Sequence, residues 1–112
     1  MSAQQMTLED LVHLANKVGL ELVAAKKVCD RYELLKHTVR ARIMQRLDDG
    51  NHSETKLRRL MEVDAEYVSY LEKLIEARSQ ADKVKLRYES YKNLFEARRS
   101  MLSFRKAEMR LL

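Results

Sequence analysis

Apolar residues recur through the first third of the chain at alternating steps of three and four. Leu8, Leu11, Ala15, Val18, Leu22, Ala25, Cys29 and Tyr32 form one stripe, the spacing of a helix that buries a single face. The stripe passes Gly19 without a phase break, which places that glycine inside the helix. It continues through Leu35, Val39, Ile43 and Leu47 in steps of four, a change that would locally unwind a supercoil. Thr7 followed by Asp10 resembles a capping box, so the first helix is predicted over 8–47. The segment DDGNHSE then supplies a turn over 48–53: Gly50 suits a left-handed helix end, and Asn51 or Ser53 can cap the next helix.

Downstream of Ser53 no Gly or Pro interrupts the chain, and a second helix is predicted as one rod over 54–110, roughly 80 Å long at 1.5 Å per residue. A single heptad frame runs along it. Leu60, Tyr67, Leu74, Ala81, Tyr88, Phe95, Leu102 and Met109 occupy one seam position, and Val63, Tyr70, Ala77, Val84, Tyr91, Arg98, Arg105 and Leu112 the other. The near-repeated phrases YVSYLEKLIEAR and YESYKNLFEAR are 21 residues apart, three heptads, so their four tyrosines share that seam. An aromatic stripe at helical spacing ordinarily packs. The alternative is that some of these rings present faces to nucleic-acid bases.

The predicted fold is all-α, one helical domain spanning 1–112, in which two long helices form an antiparallel hairpin. Folding about Gly50 lets helix 1 cover helix 2 as far as about Lys92 and leaves the remainder overhanging. The overhang carries Leu94, Phe95, Met101, Leu102, Phe104, Met109, Leu111 and Leu112, too much apolar surface for a monomer to leave in water. Self-association through coiled-coil-like seams is therefore expected, with Tyr67, Tyr70, Leu74, Tyr88, Tyr91, Phe95 and Leu102 at the interface. Between Leu57 and Ile75 the apolar residues spread beyond one stripe, adding Leu57, Met61, Val68, Leu71 and Ile75, which implies contact with more than one helix.

Composition agrees with long amphipathic helices: charged residues make up 35% of 112 positions, with no Pro and two Gly. The single Cys29 excludes an internal disulfide or a cysteine metal knuckle and suggests a reducing compartment. MSAQQMTLEDL has neither the basic start nor the apolar run of a secretory leader, and no stretch is apolar enough to span a bilayer. A soluble, cytoplasmic protein without a membrane partner is the expectation.

Charge is uneven. From Arg78 onward there are ten Lys or Arg against four Asp or Glu, a net of +6, and because the whole chain carries +5, the rest nets −1. Arg98, Arg99, Arg105, Lys106 and Arg110 gather beside Phe95 and Phe104, a composition that neutralises phosphates and offers rings to unpaired bases. Lys36, Arg40, Arg42 and Arg46, with His37, form a second cationic island at the end of helix 1. Either cluster can also be a solvated face, and Arg98 and Arg105, which interrupt the seam, can snorkel or pair with Glu96 and Glu108. Catalytic chemistry has no foothold. His13, His37, His52 and Cys29 lack metal-ligand spacing, and there is no Gly-rich phosphate loop or nucleophile elbow. Neither an enzyme nor a bound metal or other cofactor is expected.

Thr7-Leu8-Glu9-Asp10-Leu11, the basic stretch after Tyr32, the Asp48-Asp49-Gly50 turn, and a long helix bearing Tyr88, Tyr91, Leu94, Arg98 and Glu108-Met109-Arg110 resemble the phage recombination-mediator proteins of the UvsY type. That resemblance implies an oligomeric helical ring in the host cytoplasm. It would bind single-stranded DNA through residues such as Arg98, Arg99 and Arg110, and help load a recombinase while displacing a single-strand-binding protein. The acidic-Gly turn between helices is also similar to tubulin-binding cofactor A, a helical-bundle chaperone. The alternative function, from a different class, is a protein-binding helical adaptor, inhibitor or chaperone whose basic tail engages an acidic protein.

Overall fold

The computed structural model describes residues 5–111. Among them the only extended elements are three α-helices: α1 (Leu8–Leu47), α2 (Glu54–Glu62) and α3 (Ala65–Leu111). The capping box at the start of α1 forms reciprocally. The Thr7 amide donates to Asp10 Oδ2 and the Asp10 amide to Thr7 Oγ1, both at 3.0 Å, satisfying two amides that a helix start leaves without intrahelical partners. In the turn, Gly50 adopts φ +85°, and the side chains of Asp48 and Asp49 accept from the amides of Gly50 and Asn51. Ser53 then caps α2, its Oγ accepting from the Lys56 amide at 3.2 Å.

The unbroken second helix expected over 54–110 is interrupted. Val63 closes α2, and Asp64 starts α3 with its Oδ2 accepting from the Glu66 amide at 3.0 Å. No glycine or proline is needed: an aspartate with a free amide two residues on offers the backbone an alternative to continued helix. Arg46 of α1 pins the break, its Nη2 lying 2.6 Å from Asp64 Oδ2 and 3.5 Å from Glu66 Oε2, while Arg42 reaches Glu66 at 2.6 Å. The guanidinium of Arg46 holds the Asp64 carboxyl below the ordinary aspartate range.

The break also resets the heptad frame. Leu60 is only half-buried and Val63 is 76% exposed, whereas Leu57 and Met61, one turn apart, form the buried face of α2. The breadth of apolar residues between Leu57 and Ile75 is thus two short stripes on two helices, and Val68 and Ile75 remain exposed.

The chain packs as two compact units, one of residues up to Ala24 with those from Asp82 on, the other Ala25–Ala81. In the second unit α1 and α3 run antiparallel, with Tyr32 opposite Tyr70 and Arg42 opposite Glu66. Its core joins Val39 and Ile43 of α1, Met61 of α2 and Tyr67 of α3; Leu57, Leu74 and Ala77 are buried in the same unit. Tyr70 donates its hydroxyl to the Tyr32 carbonyl, and the two rings meet edge to face at 5.4 Å. Burial, and after it Tyr32 and Glu33, push the Tyr70 hydroxyl pKa up. Arg78 donates to Glu33 from Nε and Nη2.

In the first unit Leu11, Val18 and Leu22 of α1 and Val84 of α3 are buried. Arg87 lies 3.1 Å from Glu21, and the Tyr88 ring packs against Gly19 so closely that a Cβ there would sit 3.3 Å from Cε2. Gly19 is where the helices need room. This register brings Leu8 beside Arg98, Met101 and Leu102, so α1 covers α3 past Lys92, further than a fold about Gly50 predicts. The reason is that α2 and its two flanking breaks take up chain at the turn and shift the pairing. From Met101 through Leu111 every described residue is exposed; Leu112 lies outside the described residues.

Candidate nucleic-acid interface

The last turns of α3 owe their character to a change in one heptad position. Lys85, Lys92, Arg99 and Lys106 recur every seven residues, and all are exposed. Beside them Asp82, Glu89 and Glu96 recur with the same period, until Ser103 takes the next place. As far as Glu96 the stripe is therefore balanced by i,i+3 and i,i+4 neighbours; Arg99 lies 3.1 Å from Glu96. Beyond it Glu108 is the one acid among Arg105, Lys106 and Arg110, all three exposed. The cationic ladder lies outside the apolar pattern, although its seven-residue spacing is plain in the sequence.

Two grooves flank this segment. The first, of ≈ 450 Å³, has Leu8, Met101 and Leu102 as its apolar lining and the guanidinium-bearing Arg98 and Arg105 beside them. Arg98 is half-buried here, as a residue in a seam position must be when its stem packs and its head reaches out. Glu96 lies 3.1 Å from Arg99, the residue after Arg98. The second groove, of ≈ 220 Å³, lies between Leu11, Ala15 and Asn16 of α1 and Tyr88, Lys92 and Phe95 of α3, with Glu96 also on its lining. Lys92 Nζ stands 5.3 Å from the Tyr88 ring centroid, a cation–π distance. Nothing in the sequence points to Asn16 or Lys92 as neighbours; only the pairing of α1 with α3 joins them.

The other predicted residues fall elsewhere. Lys36 and Arg40 are half-buried on α1 in the second unit, and Arg42, predicted to contact phosphate, is neutralised by Glu66. Arg46 of the same island is likewise engaged, by Asp64, so two of its members fix the helix break. Tyr67 and Leu74, assigned by spacing to an interface between copies, are buried by the chain's own helices, and Tyr70 is half-buried against Tyr32. Tyr88, Tyr91 and Phe95 are half-buried in the first unit, while Leu102 is exposed. Cys29 is a half-buried free thiol. Among the described residues no three His, Cys, Asp or Glu side chains come together in a way that could hold a metal ion, and no helix is long and apolar enough to cross a membrane.

No protein-family model, curated protein or solved structure gives a significant match to the chain.

Proposed function

We propose that this chain is a non-enzymatic helical accessory protein that self-associates and binds single-stranded nucleic acid through the end of α3, in the role of a recombination mediator. One observation carries the reading. Where the acidic heptad position becomes Ser103, α3 follows the half-buried Arg98 and the Glu96-paired Arg99 with Arg105, Lys106 and Arg110 against the lone Glu108, on an exposed helix interleaved with Met101, Leu102, Phe104 and Met109. Cations alone would suit any polyanion. Cations alternating with apolar side chains suit a strand whose bases are unpaired and need cover, whereas a duplex keeps its bases stacked inside.

The same segment supports self-association. Leu102, Met101, Phe104, Met109 and Leu111 are 44 to 88% exposed along eleven consecutive residues, apolar side chains that contact with further copies would cover. An antiparallel hairpin whose free end meets other copies fits this pattern. The fluorescence anisotropy of a labelled deoxythymidine oligomer tests the binding. Affinity should fall by a log–log slope of about −0.7 per phosphate neutralised as salt rises, and absence of binding at low salt overturns the reading. A protein-binding adaptor is the second reading, favoured by a separate groove of ≈ 340 Å³ in the second unit where Val28, Leu35, Tyr32 and Tyr70 surround an apolar surface beside Arg31. Capture of an acidic peptide that blocks this groove, without DNA binding, would select it.

A further inference from the structure

We propose that the groove between α1 and α3 at Asn16, Lys92 and Phe95 is a base-binding slot, which seats one unpaired nucleobase on the Phe95 ring with phosphates held by Lys92 and Arg99. The inference rests on the nucleic-acid reading above and gives it a defined subsite.

Phe95 is half-buried in this groove although its seam position would allow full burial. Ala15 and the exposed Asn16 of α1 line the same groove, and the Asn16 side-chain amide can both donate and accept hydrogen bonds. The groove, of ≈ 220 Å³, is open to solvent along one side. Lys92 and Arg99 are seven residues apart, about 10.5 Å along α3, and bracket Phe95. Lys92 is held over the Tyr88 ring, itself seated against Gly19, so its ammonium is poised at one mouth of the groove. Arg99, four residues beyond Phe95 on α3, engages the carboxylate of Glu96, a residue that lines the groove. That carboxylate opposes an incoming phosphate, and the arrangement makes Glu96 a restraint on binding.

A ring flanked by two flexible cations is how sequence-tolerant single-strand sites combine stacking with backbone charge. A second copy of this chain is a weaker occupant, because it would have to bury Lys92, Glu96 and Asn16 without matching partners.

The test compares a ten-nucleotide deoxythymidine oligomer with an abasic deoxyribose-phosphate oligomer of the same length, on wild type and on Phe95→Leu, which keeps the groove apolar. Wild type should bind the thymidine oligomer about tenfold more tightly, the scale of one stacked base. In Phe95→Leu that ratio should fall to about twofold, with abasic binding unchanged and the circular-dichroism melt close to wild type. Glu96→Gln should tighten both oligomers. Equal binding of the two by wild type overturns the slot and leaves the electrostatic reading standing; binding of neither at low salt removes both. If Phe95→Leu weakens the abasic oligomer equally and lowers the solution mass, the groove is an interface between copies and the proposal fails.

Discussion

Leu74 separates a core within the chain from an interface between chains. Its heptad position fits either role, but in the folded chain it is 1% exposed, in the unit that also buries Tyr67 and Ala77. Leu74→Ala removes three side-chain carbons, and at roughly 0.8 kcal/mol per buried methylene the transfer loss alone is about 2.5 kcal/mol. A residual cavity adds to this, up to the ~5 kcal/mol seen for rigid cores. Here Tyr70 and Leu71 are only half-buried and can move inward, which argues for the lower part of the range, about 3 kcal/mol. For a chain of 112 residues this should lower Tm by roughly 12 °C. Urea unfolding followed by circular dichroism, at protein concentrations spanning two decades, measures it. A core residue gives the same loss at every concentration, whereas an interface residue gives a loss that vanishes on dilution and grows as mass action favours assembly. A loss below ~1 kcal/mol, or one that fades on dilution, would refute the placement of Leu74 inside the chain.

Changing Arg99, Lys106 and Arg110 together to Glu should leave the melt nearly unchanged and flatten the salt dependence of single-stranded DNA binding by about 2 log–log units, at about 0.7 for each phosphate no longer neutralised; a wild-type slope in this variant would exclude these residues as phosphate ligands. Asp64 has a folded-state pKa below its ordinary value of 3.8 because of Arg46. Its contribution is therefore present above pH 3.8 and lost as the pH falls through the lower folded value. Asp64→Asn keeps a capping oxygen but no charge, so its stability should vary less with pH in that acid range than that of wild type, as read by acid titration of the helical signal. Gly50→Ala should cost ~1 kcal/mol, since φ +85° strains an L-residue while a Cβ would meet nothing within 4 Å; an unchanged Tm would mean that the turn relaxes.

Much of this architecture is legible in local rules. Helix type follows from apolar spacing, the start of α1 from the Thr7–Asp10 box, and the turn from Gly50, because each depends on groups within a few residues of one another. The basic end of α3 is likewise a matter of composition. The break at Asp64 is harder to see. An aspartate inside a helical pattern is usually tolerated, and what tips the backbone toward capping is Arg46, eighteen residues away in sequence.

The sequence by itself determined that the chain is helical, where α1 begins and ends, and that cations outnumber acids at its far end, since periodicity and capping act over one or two turns. Tertiary structure alone decided which residues of α1 meet α3 within each unit, because a seam of repeated heptads pairs almost equally well at several offsets, and in the second unit the Arg46–Asp64 link fixes one of them. From that register follow the burial of Tyr67 and Leu74, the seating of Tyr88 on Gly19, and the meeting of Asn16 with Lys92 and Phe95. Such contacts join residues too far apart in sequence for any local pattern to relate them.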